Sequence, residues 1–153
     1  MKSAEECLAT ALIALDSDAF PDALITWINT AVPNDNIALL GYFQDRGPEL
    51  FFAKSNTPEV HADLESSYLD GAYLLDPLHQ LHVTNAAPGL YRLKDIAPDH
   101  FSRNRYFIDY YANTTMVDEI AFVSSPSNGV TLQLCLGRDK KSGRKFTAQQ
   151  LKS

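Results

Sequence analysis

The sequence is poor in cysteine and has no long apolar run. Cys7 and Cys135 are its only cysteines, and no second pair accompanies them. This argues against a disulfide framework or a structural zinc site, and we expect both thiols to be small buried side chains. No apolar stretch approaches the roughly 20 residues of a membrane span, and the N-terminus is too acidic for a signal peptide. We therefore expect a cytoplasmic protein that contacts no membrane.

An excess of positive charge is also missing. The 153 residues include 13 Lys and Arg against 19 Asp and Glu, which gives a formal net charge of -6. Such a chain repels a phosphate backbone, so any contact with DNA must come from another domain. The basic run from Arg138 to Lys145 is most simply a solvated loop.

Motifs for catalysis and cofactor binding are absent as well. The sequence has no Gly-x-Ser-x-Gly elbow, no Gly-x-Gly-x-x-Gly and no phosphate-binding loop, so we expect neither enzymatic activity nor a cofactor. His79 and His82 stand three residues apart, but a metal site there would need His61 or His100 as a further ligand. We expect no metal.

The hydrophobic pattern predicts helices and strands in one domain spanning residues 1–153. Apolar residues at helical spacing indicate helices, and short apolar runs ending at turn residues indicate strands. The Asn128-Gly129 pair is a strong hairpin signal between the last two strands. Together these predict an α+β fold, with an antiparallel sheet flanked by helices in the element order of PAS and GAF domains. Predicted helices cover residues 4–15, 20–31, 58–76, 77–82, 103–111 and 146–151, and predicted strands cover 37–43, 49–54, 91–93, 119–124 and 130–136.

Aromatic and acidic residues cluster on the central elements and suggest a pocket. A carboxylate inside an aromatic wall is costly to bury without a cationic or donor partner, which a small amine or amide ligand would supply. Two alternatives stay open: the tyrosines are ordinary core, and the acidic residue before Pro77 simply caps the next helix. The candidate ligand-binding residues are Tyr68, Tyr73, Asp76, Tyr106, Tyr110 and Glu119.

Several segments resemble the N-terminal sensor domain of LuxR-type transcription regulators. They are YLDGAYLLDPL at residues 68–78, GLYRLKDIAPDHF at 89–101, and shorter stretches at 106–111, 117–122, 132–138 and 146–151. The resemblance implies a PAS/GAF-like sensor that forms a homodimer and is followed by a helix-turn-helix domain. We therefore expect this chain to be the sensory part of a longer regulator, in which a ligand controls dimer geometry and DNA binding by the second domain. The alternative is a ligand-free module for dimerisation or protein interaction.

The resemblance extends more distantly to acyl-homoserine-lactone sensors, in which an aromatic helix runs into Asp-Pro. It implies that Asp76 accepts a hydrogen bond from a ligand amide and that Tyr68 and Tyr73 form walls. This sequence has Leu64 where those sensors have a tryptophan, and its only tryptophan is Trp27. We therefore expect an unidentified ligand of the amine, amide or lactone class.

Overall fold

The computed structural model describes residues 1–56, 62, 64–97, 116–140 and 145–152. The chain divides into two compact units, Met1–Asn34 and Asp35–Ser153. No helix of the described part is long and apolar enough to cross a membrane. That the whole chain acts as one domain stays a prediction.

The first unit is a pair of helices, α1 (Ala4–Ile13) and α2 (Phe20–Ala31). A capping box starts α1, because Ser3 and Glu6 exchange hydrogen bonds between side chain and backbone at 2.8 and 3.2 Å. A proline in the first turn, where no N–H is needed, starts α2. Both helices were predicted, with α1 ending two residues earlier than expected.

The second unit is built on a five-stranded antiparallel sheet, which confirms the predicted α+β class. The spatial order is β2, β1, β5, β4, β3. The Asn128-Gly129 pair joins β4 to β5 as predicted, and Gly129 has φ +76°, a conformation that favours glycine. The strands are β1 (Asn36–Phe43), β2 (Glu49–Ser55), β3 (Gly89–Arg92), β4 (Met116–Ser127) and β5 (Val130–Asp139).

The helical segments between β2 and β4 are shorter and more broken than predicted. A helix running unbroken to residue 76 is wrong in its described part, which contains a π-type turn at Leu64–Tyr68 and a 3-10 turn at Ala72–Leu75. The short helix after it is confirmed as α3 (Pro77–Val83), and α4 (Leu93–Ile96) was not predicted. The helix predicted at 146–151 is only a 3-10 turn, Gln150–Lys152. The helix predicted at 103–111 lies outside the described residues.

One face of the sheet carries the core of the second unit. Alternate residues of the three central strands point to this face and pack against the helical segments. The buried Gln133 on β5 donates a hydrogen bond to the Leu78 carbonyl at 2.8 Å, which fastens α3 to the sheet. Cys135 is buried in this core and Cys7 in the first unit, both as free thiols, as predicted. The core consists of Leu40, Tyr42, Tyr68, Leu78, Leu81, Leu93, Ala121, Val123 and Cys135.

Candidate functional site

A pocket lies at one end of this core, where the sheet face carries small and polar side chains. Directly opposed residues of neighbouring strands share a face, so the register aligns one row across four strands. That row reads Ser55, Asn36, Gly137 and Glu119. It is polar at both ends and has a gap at Gly137.

The remaining walls are mostly apolar. The next row of the sheet supplies the small side chains of Ala53, Ala38 and Cys135. Leu64 and Tyr68 lie across from them on the π-type turn. About 570 Å³ of space lies between these walls, counting the part that is open to solvent. An apolar cavity with a few convergent polar groups is the usual form of a small-molecule site.

Gly137 keeps the floor of the pocket open. A Cβ placed on it would lie 2.8 Å from Met116 Sδ and 3.3 Å from Asn36 Cβ. Both contacts are closer than ordinary packing, so any side chain here would displace its neighbours. A glycine inside a strand often marks a place where a ligand approaches the backbone closely.

Asp76 both caps a helix and reaches the pocket. Its Oδ1 accepts a hydrogen bond from the Leu78 N–H at 2.9 Å, and its Oδ2 accepts one from the Tyr68 hydroxyl at 2.7 Å. Burial raises its pKa to about 6, although these two hydrogen bonds act to lower it. The capping alternative is therefore correct, and the same carboxyl also lines the pocket.

A chain of hydroxyl groups leads to Asp76 from the sheet. Because Tyr68 donates its proton to Asp76, the fully buried Tyr42 must donate to Tyr68 in the hydrogen bond that joins the two tyrosines. Burial, followed by the nearby Asp76 charge, raises the pKa of Tyr42 well above its usual value. Tyr42 thus remains a neutral donor at physiological pH.

Glu119 faces the pocket from β4. It is half-buried, and no described residue forms a hydrogen bond or ion pair with its side chain. Burial, together with the charges of Asp76 and Asp118, raises its pKa well above the usual value. Two acidic groups therefore meet at one small cavity.

Asn36 is the polar residue at the other side of the gap. It is only 7% exposed, and its Oδ1 accepts a hydrogen bond from the Ser55 hydroxyl. No described residue forms a hydrogen bond with its Nδ2, which lies 3.4 Å from where a Cβ on Gly137 would stand. An unpaired buried donor costs free energy, so a hydrogen bond from this nitrogen to an acceptor in the pocket would be stabilising.

The structure brings together three of the six predicted site residues, Tyr68, Asp76 and Glu119. Tyr73 does not line this pocket. It is half-buried, and its ring packs near those of Tyr68 and His79, at centroid distances of 6.3 and 5.1 Å. The positions of Tyr106 and Tyr110 lie outside the described residues.

Sequence reasoning missed Asn36 and Gly137, although a glycine within an apolar strand was a usable signal for the second. It also weighed His79 and His82 as metal ligands. Their ring centroids are 6.0 Å apart, and His82 Nδ1 is 2.7 Å from the Thr131 hydroxyl. The described residues contain no cluster of three metal-binding side chains, and the positions of His61 and His100 lie outside them.

A buried ion pair lies directly behind the pocket, and sequence reasoning missed it. Asp118 precedes Glu119 on β4, so its side chain points to the opposite face of the sheet. There it accepts hydrogen bonds from Arg92 Nη2 at 2.5 Å and Nε at 3.2 Å. The Asp118 carboxylate also accepts one from the Phe146 N–H at 2.9 Å, while Arg92 Nη2 donates to the Phe146 carbonyl at 2.9 Å. We call these three residues the Asp118 clamp. It joins β3, β4 and the C-terminal segment 145–152.

The antiparallel sheet with its helices is the fold of LuxR-type ligand-binding domains, as comparison with solved structures shows. The ligand-binding domain of VqsR from Pseudomonas aeruginosa is 29% identical with a TM-score of 0.80, over 97% of this chain and 85% of that one. CepR2 from Burkholderia cenocepacia, an N-acylhomoserine lactone dependent LuxR-family transcription factor, is 13% identical with a TM-score of 0.64, over 97% and 82%. No protein-family model and no curated protein matches the chain.

These neighbours confirm the resemblance to an N-terminal LuxR-type sensor domain. They are regulatory ligand-binding domains of transcription factors, not enzymes. The likeness to VqsR supports a sensing regulatory domain of a LuxR-type regulator, whereas the likeness to CepR2 shows the fold alone.

Proposed function

We propose that this chain senses a small molecule, which binds in the pocket between the central sheet and the segment containing Tyr68 and Asp76. The observation that carries the proposal is a pocket with apolar walls, small floor residues and convergent polar groups that include Asn36, Asp76 and Glu119. An ordinary core position would be filled to close packing, and buried polar groups there would be paired. The pocket departs from both expectations at the same place.

Binding would then be transmitted to the C-terminal segment. Glu119 and Asp118 are consecutive on β4, so their side chains point to opposite faces of the sheet. A ligand that binds Glu119 and shifts its position therefore also moves the part of β4 that carries Asp118 and the Asp118 clamp. Differential contact with two arrangements of this strand is what a ligand needs in order to shift their populations.

The output of the sensor belongs to the whole regulator. We propose that the chain acts in the cytoplasm as a homodimer and that the ligand changes the dimer geometry. DNA binding would then be the work of a separate helix-turn-helix domain. The net charge of -6 fits this division, because the chain itself would repel DNA.

Thermal-shift measurements test whether the pocket binds small molecules. The probes are 2-amino-1-phenylethanol, hexanamide, N-hexanoyl-homoserine lactone and 3-phenylpropionic acid. At 100 times its dissociation constant, a ligand stabilises the folded state by about 2.7 kcal/mol. For a chain of this length, that raises the melting temperature by about 5–10 °C. If none of the four probes raises it, the proposed function is wrong and the ligand-free module replaces it.

A further inference from the structure

The pocket carries two acidic groups and no matching cation among the described residues. Asp76 and Glu119 both line it. The only basic residue of the described lining is Lys54, which is exposed and pairs across the strands with Ile37. By strand alternation Lys54 and Ile37 belong to the opposite face from Asn36, so the lysine ammonium does not neutralise the carboxyl groups.

A second, independent feature is the unpaired donor at Asn36. Its Nδ2 lies beside Gly137, on the far side of the gap from Glu119. Among the described residues, the polar end of the pocket therefore offers no acceptor to Asn36 Nδ2 and no donor to the Glu119 carboxyl group. One ligand head group placed over Gly137 would supply both.

We propose that the ligand of this pocket carries a protonated amine with a hydrogen-bond acceptor beside it. The amine lies over Gly137 and faces Glu119 and Asp76, and the acceptor faces Asn36 Nδ2. The apolar part of the ligand extends along the small residues of the next row, such as Ala38. This inference rests on the proposed function, and it names the chemical class that the sensor recognises.

The charge pattern favours an amine over the other ligand classes. A neutral lactone or amide can give one hydrogen bond to Asp76, but it brings no positive charge to a second acidic group. An anion would add a third acidic group to a site where burial and mutual repulsion already raise the pKa of Glu119. Only a cation is stabilised by both carboxylates, through charge-assisted hydrogen bonds in a site of low dielectric.

Calorimetric titration with three matched probes at pH 7.5 tests the proposal. 2-Amino-1-phenylethanol has the amine, 1-phenyl-1,2-ethanediol has a hydroxyl in place of the amine, and mandelate has a carboxylate in place of the whole aminomethyl group. We expect the amine to bind at least tenfold more tightly than the diol and mandelate not to bind. This comparison uses the unaltered chain, so it does not depend on whether a variant folds.

Substitution of Glu119 is the second test of the amine proposal. Glu119→Gln keeps the side-chain shape, and we expect it to weaken binding of the amine at least tenfold while changing that of the diol less than twofold. The matched control is Glu49→Gln, which makes the same change at an exposed carboxylate on β2 and should leave both affinities unchanged.

The other outcomes decide between the amine proposal and the proposed function. The amine proposal is overturned if amine and diol bind equally, if the amine does not bind, or if Glu119→Gln leaves amine binding intact. If the lactone or hexanamide stabilises the chain while the amine does not, the proposal fails and the proposed function stands. If no probe of either set binds, both fail.

Discussion

Asp118→Ala should lower the free energy of unfolding by about 3–5 kcal/mol, because it removes one partner of a buried ion pair. The Arg92 guanidinium would lose two hydrogen bonds and keep its charge at a site where its side chain is only 11% exposed. The Phe146 N–H would also lose its acceptor. Urea denaturation measures the loss, and hydrogen exchange should show faster exchange at the Phe146 amide.

Asp95→Ala is the matched control for this substitution. Asp95 is exposed, and its charge also acts on Arg92, yet it takes no part in the clamp. Its replacement should cost less than about 0.5 kcal/mol, as at most surface positions. If Asp118→Ala and Asp95→Ala have similar effects, the clamp does not hold the C-terminal segment.

Gly137→Val should weaken binding of any pocket ligand at least 100-fold. The new Cβ would meet Met116 Sδ at 2.8 Å and push this flexible thioether into the cavity, where the two valine methyl groups also come to lie. The destabilisation from overpacking is about 1–3 kcal/mol, partly offset because valine suits a strand better than glycine. Titration with 2-amino-1-phenylethanol and N-hexanoyl-homoserine lactone measures the loss.

Gly47→Val is the control for the blocked pocket. Gly47 is exposed in the turn before β2, and the nearest atom to a Cβ there is the Tyr73 hydroxyl at 3.8 Å. This variant should bind as the unaltered chain does. Gly137→Ala should show a smaller loss in the same direction if the valine variant does not fold. Unchanged affinity in a folded Gly137→Val variant would mean that ligands bind elsewhere.

Short apolar runs separated by turn residues made the hairpins β1–β2 and β4–β5 predictable from the sequence. The predicted strands were nevertheless shorter than the observed ones. β4 begins at Met116 and β5 ends at Asp139, beyond the predicted limits. The additional residues include Asp118, Arg138 and Asp139, all less than 10% exposed. Polar residues normally mark the end of a buried strand, and here they are buried because partners such as Arg92 come from distant parts of the chain.

The broken helix before Asp76 has a physical reason that spacing alone does not show. In a continuous helix, the eight residues from Tyr68 to Asp76 would span about 12 Å along the axis. In the structure the chain turns at Gly71, and this turn brings the Tyr68 hydroxyl within 2.7 Å of the Asp76 carboxylate, so that the two side chains form a hydrogen bond. Tertiary contacts thus outweighed helical periodicity in this segment.

The pocket itself depends on strand register, which the sequence does not reveal. Asn36 and Gly137 are separated by about a hundred residues and become neighbours only through the pairing of β1 with β5. Glu119 joins them through the pairing of β4 with β5. Tyr68, Asp76 and Glu119 were found from their chemistry, whereas the residues that open the cavity between them were found only from the fold.

The most direct test of ligand sensing by this chain is nuclear magnetic resonance with labelled alanine and methionine methyl groups. 2-Amino-1-phenylethanol, hexanamide, N-hexanoyl-homoserine lactone and 3-phenylpropionic acid are each added in a separate sample at saturating concentration. We expect nuclear Overhauser effects between at least one probe and the methyl groups of Ala38, Ala53 and Met116, which line the pocket. Effects confined to residues outside the pocket, or none with any of the four probes, would contradict ligand sensing in this pocket.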